Sequence, residues 1–104
     1  MRKHHELKAW QEVEELVKEI YRVTRDFPKE EMYGLVGQMR RAAVSIPSNL
    51  AEGAARGGDR EFIQFLIIAR GSLSELETQL LISHELGYMR DVSGVQERID
   101  RLFH

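Results

Sequence analysis

DREFIQFLIIARGSLSELETQLLISHEL, running from Asp59 to Leu86, decides the fold. At 100° per residue, Phe62, Phe65, Leu66, Ala69, Leu73, Leu76 and Leu80 fall in one stripe, the mark of a helix with a core-facing side. Asp59 is placed as an N-cap, and Gly87 sits where a left-handed C-cap residue belongs. A helix from Arg60 to Leu86 would be about 40 Å long at ~1.5 Å per residue. It carries more apolar surface than one face needs. Ile63, Ile67 and Leu81 lie on a second line roughly 100–140° from the stripe, and Ile68 and Ile82 on a third. A helix apolar over most of its circumference has to be covered over most of it. Self-association is expected, with Ile63, Ile67, Ile68, Leu81 and Ile82 at the interface.

The flanking segments supply the partners for that helix. Upstream, Pro28 to Glu31 starts a helix with proline early and acids near the positive end of the dipole. Met32, Leu35, Met39, Ala42, Ala43, Ile46 and Leu50 continue it as a stripe through about Glu52. Gly34 and Pro47 are its weak points. A kink at Pro47 is preferred to a break at Ser45-Ile46-Pro47, because the apolar spacing stays in phase from Ala43 to Leu50. Leu7 to Arg25 forms the first helix, with Trp10, Val13, Val17, Ile20, Tyr21 and Thr24 inward. Gln11, Glu12, Glu15, Lys18, Glu19 and Arg22 lie on its water side. Asp26-Phe27-Pro28 ends it. Gly53 to Gly58 is a loop of small residues. A final helix from about Ser93 to Phe103 carries Val95, Ile99, Leu102 and Phe103. With no strand-like alternation, the class is all-α: an antiparallel up-and-down four-helix bundle with a short fourth helix.

The 104 residues make one domain, residues 1–104. The absence of cysteine excludes disulfides, thiolate metal sites and cysteine nucleophiles. No run is long and apolar enough for a membrane span and no signal peptide is visible, so a cytoplasmic protein is expected. Net charge is −2, short of the basic excess that phosphate binding usually brings.

Chemistry-bearing patterns are sparse. No glutamate is followed by histidine at the third position, and His4, His5, His84 and His104 form no HxxxH pair. Gly53-Ala-Ala-Arg-Gly-Gly58 lacks the lysine of a phosphate-binding loop, and no Ser/His/acid arrangement suggests a triad. No enzyme activity, metal or cofactor is expected. Two polar patterns remain. Gln38, Ser45, Asn49 and Glu52, with Arg41 at the margin, border the apolar stripe of the second helix. Ser72, Glu75 and Gln79 border that of the third. Where these seams meet they form either a ligand or RNA groove or a hydrogen-bonded network that fixes register; the network is preferred, since such networks specify packing. Arg40, Arg41, Arg56 and Arg60 form the densest basic cluster, candidates for contacts to RNA phosphates, although Glu30, Glu31, Glu52, Asp59 and Glu61 lie close in sequence.

QMRRAAVSIPSNLAEG from Gln38 to Gly53, Glu61-Phe62, and FLIIARGSLSELETQL from Phe65 to Leu80 occur in order with Leu7-x-x-Trp10-Gln11 and Phe27-Pro28-x-Glu30-x-x-Tyr33-Gly34-Leu35. Over roughly residues 7–90 this resembles the four-helix-bundle family named for the 23S rRNA intervening-sequence protein. Its superfamily includes the accessory variability protein of diversity-generating retroelements. The resemblance implies a small bacterial cytosolic bundle assembled as a homopentameric ring. At the matching positions (Gln38, Arg41, Ser45, Pro47, Asn49, Glu52, Gly53, Phe62, Ser72, Glu75 and Gln79) it implies packing and register roles. The chain departs from the pattern in its acidic balance, against basic retroelement relatives that bind nucleic acid. Its fourth helix is also about two turns shorter, so that either the chain ends early or a neighbouring copy covers what that helix would have covered. The expected function is a non-enzymatic homo-oligomeric interaction scaffold. An RNA-binding protein associated with 23S rRNA is the alternative, and a small-molecule-binding bundle using Asn49, Glu52 and Glu75 is a third reading.

Overall fold

A computed structural model describes residues 8–103. The expected helix start at Leu7 and the histidines His4, His5 and His104 lie outside the described residues. Four α-helices follow one another: α1 (Lys8–Thr24), α2 (Leu35–Ala55), α3 (Asp59–Glu85) and α4 (Ser93–Phe103). A single 3-10 turn, Lys29–Glu31, precedes α2, and there is no strand among the described residues. Each helix packs on its chain neighbours and α4 closes back on α1, so the four stand at the corners of a bundle 43 Å long. The α2–α3 pair is the most extensive contact and α3–α4 the slightest.

The core is the expected stripes with some rotation. Ala69, Leu73, Leu76 and Leu80 of α3 are buried against Met39, Ala42, Ala43 and Ile46 of α2 and Val13, Leu16 and Ile20 of α1. Leu16, fully buried, belongs to the α1 face although the expected stripe omitted it, whereas Tyr21, placed inward by that stripe, is exposed. Its position three after Val13 and four before Ile20 carries the signal. Glu12 and Glu19, expected on the water side, are half-buried instead. Glu19 accepts from Arg98 Nε of α4 at 3.1 Å and pairs with Arg22 at 3.0 Å, and Glu12 lies 3.9 Å from Arg101. Helix α4 therefore docks on α1 through ion pairs as well as through Val95 and Ile99.

Local chemistry sets the boundaries. Gly34, at φ −108° and ψ −112°, interrupts the expected second helix, so Met32 lies outside α2 and is exposed. Val36, unassigned from sequence, is buried in its place. From Leu35 the helix runs unbroken through Pro47 to Ala55, which takes Gly53 out of the expected loop. Pro47 supplies no N–H to the Ala43 carbonyl, and one turn further along Asn49 Nδ2 donates to the Ser45 carbonyl at 2.8 Å. Gly53 is required for the α2–α3 approach, since a Cβ there would meet Phe65 Cβ at 2.8 Å. At the start of α3 the capping residue is Gly58, with no side-chain cap bond; Asp59 is the first helical residue, acidic in the first turn.

The end of α3 is a Schellman motif: Tyr88 N–H donates to Ser83 O at 2.9 Å and Gly87 N–H to His84 O at 3.0 Å, with Gly87 at φ +82°. Tyr88 then packs tilted against Phe27, ring centroids 5.4 Å apart, and its hydroxyl donates to Glu31 Oε2 at 2.8 Å. That hydrogen bond, with burial and the nearby acids, raises the Tyr88 pKa above its ordinary value. Asp91 Oδ1 accepts from both the amide and the hydroxyl of Ser93 at the start of α4, which lowers its pKa.

Candidate interaction surfaces

Helix α3 presents apolar side chains away from the bundle. Relative exposure is 55% for Ile63, 64% for Ile67, 50% for Ile68, 53% for Leu81 and 43% for Ile82. Leu66, assigned to the core stripe from sequence, is also exposed, as is Leu86. The contacts of α3 orient these positions. Ser72 meets α2, whereas Glu77 Oε2 accepts from Gln96 of α4 at 2.6 Å. By helical geometry Ile68 and Ile82 therefore flank the α2 side, and Ile63 and Leu81 lie beyond the α4 side. Branched aliphatic side chains half in water forfeit roughly 1 kcal/mol each relative to full burial.

A second feature is an apolar groove. Among the described residues α3 has 27 and α4 has 11, so α4 runs along less than half of α3. The groove has a volume of about 360 Å³. Trp10 and Val13 of α1, Leu50 and Ala54 of α2, Phe62 and Leu66 of α3, and Leu102 and Phe103 of α4 line it. Arg70 is the single charged side chain among its described lining residues, and its guanidinium lies 5.8 Å from the Phe103 ring centroid.

The two polar seams are brought together only in part. Ser45 Oγ and Ser72 Oγ share a hydrogen bond of 2.9 Å across α2 and α3, and Asn49 Nδ2 donates to Ser45 Oγ at 2.9 Å. Gln38, Arg41, Glu52 and Glu75 are exposed. Glu52 pairs instead with Arg56 one turn along, at 3.1 Å. Gln79 is buried, and its Oε1 lacks a hydrogen-bond partner. Ser83, unmarked in the sequence reading, is fully buried and donates to Gln79 O at 2.8 Å. Its position one turn after Gln79 was the available signal.

The arginine cluster is dispersed. Arg40 turns inward to α1, donating from Nε to Thr24 Oγ1 at 3.0 Å and from Nη2 to Tyr21 O at 3.3 Å, with its guanidinium over the Tyr21 ring. Arg56 is shared between Glu52 and the face of Phe65. Arg41 and Arg60 are exposed. The cause is periodicity: consecutive residues 40 and 41 point 100° apart, so adjacency in sequence does not make one patch. Among the described residues no three His, Asp or Glu side chains are grouped to hold a metal ion, and no helix is long and apolar enough to cross a membrane.

Fold and surfaces together define a small all-helical bundle with apolar residues on the outside of its longest helix and an apolar groove among its described residues. Residues 5–103 match the family model described as 23S rRNA-intervening sequence protein, and the chain belongs to that family. The match extends through α4 to Phe103, further than the motifs quoted above. Comparison with curated proteins gives no match.

Proposed function

We propose that this chain is a non-enzymatic, cytoplasmic interaction scaffold that works as a homo-oligomer, in the five-membered ring that the family resemblance implies. The observation that carries the reading is the half-exposed aliphatic surface of α3, at Ile63, Ile67, Ile68, Leu81 and Ile82. Several large aliphatic side chains exposed on one helix favour association with a partner surface. The polar seam suits a scaffold as well, because the Ser45–Ser72 bond ties α2 to α3.

Light scattering tests it directly: the scaffold reading expects an assembly at micromolar concentration, and a monomer there rejects it. Ile67→Glu and Leu81→Glu are expected to dissociate the assembly while helicity is kept, since both side chains are already in water in the single chain. An assembly that tolerates both changes places the interface on other faces.

The family description, which names a 23S rRNA intervening sequence, favours RNA binding as a second reading. Arg41 and Arg60 are its best phosphate contacts, because Arg40 and Arg56 are engaged within the chain. Phosphate contacts weaken as salt rises. Binding of an RNA probe that falls between low and physiological salt supports this reading, and no binding at low salt rejects it.

A further inference from the structure

We infer that the α3 helices of successive copies pack side by side, parallel and in register. The Arg60–Ile67–Ser74–Leu81 line of one copy lies against the Glu61–Ile68–Glu75–Ile82 line of the next. The inference rests on the homo-oligomer reading and specifies which two surfaces meet.

Periodicity sets the two lines. Residues seven apart drift by only ~20° on a straight helix, so each set of four runs along one side of α3. All eight side chains are exposed, Ile67 by 64% and Leu81 by 53% on the first line, Ile68 by 50% and Ile82 by 43% on the second. The buried residues Ala69, Leu73, Leu76 and Leu80 lie opposite the direction midway between the lines, so the bundles point away from the contact. Gly71 and Thr78 lie between the lines. A Cβ at Gly71 would meet nothing within 4 Å, and a glycine there admits a close neighbouring backbone.

Height along the axis fixes what meets across the contact. Residues adjacent in sequence differ by ~1.5 Å in height, so parallel helices in register pair position i of one copy with i+1 of the next. That sets Arg60 against Glu61, Ile67 against Ile68, Ser74 against Glu75 and Leu81 against Ile82. Each pairing is complementary: opposite charges, aliphatic on aliphatic, a hydroxyl that donates to a carboxylate, and aliphatic again. Among the described residues the side chains of Arg60, Glu61, Ser74 and Glu75 make no other hydrogen bond or ion pair. An antiparallel pairing would also match the aliphatics, but it sets Arg60 and Glu61 beyond the end of the neighbour's α3. The two lines differ, which makes the contact head-to-tail. Ile63, Ile67 and Leu81 point roughly 107° away from Ile68 and Ile82, near the ~108° between contacts in a closed ring of five helices.

Two experiments test the register. Ser74→Asp sets a carboxylate against Glu75 of the next copy and is expected to weaken assembly by at least about tenfold in sedimentation velocity. Ser74→Asp/Glu75→Lys is expected to recover it, with helicity checked by circular dichroism. The second experiment uses the absence of cysteine from the chain. In Ile67→Cys/Ile68→Cys the two thiols of one helix diverge and cannot bond each other, whereas those of neighbouring copies meet. Mild oxidation is expected to give a ladder of covalent multimers, and neither single cysteine variant is expected to do so. A double cysteine variant that assembles without linking overturns this packing and leaves the homo-oligomer standing. So does linking in Ile67→Cys/Ile82→Cys in its place, which marks antiparallel helices, or a Ser74→Asp variant that assembles as wild type. A wild-type chain that is monomeric throughout removes both readings.

Discussion

At the residue scale, the groups that hold the bundle are those whose alternatives are worse. Thr24 is almost fully buried, and its hydroxyl donates to Ile20 O at 2.7 Å while accepting from Arg40 Nε at 3.0 Å. Thr24→Val keeps the shape and removes the acceptor, so a loss of about 1–2 kcal/mol is expected in urea unfolding. Two glycines make a sharper contrast. At Gly53 a methyl group would press on Phe65 Cβ at 2.8 Å, whereas at Gly71 nothing lies within 4 Å. Gly53→Ala is expected to cost about 1–3 kcal/mol through overpacking. Gly71→Ala is expected to gain about 1 kcal/mol through helix propensity. Thermal unfolding of the two variants should move in opposite directions. The roles of Thr24 and Gly53 were only half legible in the sequence: each was placed on a helix or at its end, but the partner atom comes from another helix.

At the element scale, α4 is the least anchored part of the bundle. It holds to α1 through Val95, Ile99 and the Arg98–Glu19 pair, and its contact with α3 is slight. Ile99 is fully buried, so Ile99→Ala is expected to cost about 2–4 kcal/mol. Hydrogen exchange should show α4 amides opening ahead of α2 and α3. The start of α4 is also pH-sensitive. Ser93 holds the Asp91 pKa below its unfolded value, so the cap is fully in place above the ordinary carboxyl range. It is lost as pH falls through the lowered folded value. Amide shifts of Ser93 and Gly94 should follow that acid titration, and Asp91→Asn should abolish it. The extent of α4 was readable from the spacing of Val95, Ile99, Leu102 and Phe103. Its ion pairs were not, because Glu12 and Glu19 are indistinguishable from solvated glutamates until α4 lies over them.

At the scale of the whole molecule, burial among the described residues is unevenly distributed: a filled core, an apolar groove beside Trp10 and Leu66, and aliphatic side chains along the outside of α3. A single-chain bundle that kept this arrangement in water would leave a patch that favours association. The apolar excess of α3 was visible in the sequence as soon as its residues were placed at 100° intervals. The groove was not, since the sequence reading put Phe62 and Leu66 in the core along with Leu73. The structure separates them: Leu73 is buried, whereas Phe62 is half-buried and Leu66 exposed along the groove.

Periodicity and turn chemistry by themselves determined the four helices, the passage of α2 through Pro47, the glycine at the end of α3 and the surplus of apolar faces on that helix. These properties depend on neighbours along the chain, and local sequence encodes them. Only the tertiary structure decided that Arg40 serves α1, that Gln38, Arg41 and Glu75 stand apart from the Ser45–Asn49–Ser72 contacts, and that Phe62 and Leu66 line a groove. These depend on helix rotation and relative length, which emerge when four stripes of unequal extent must share one core.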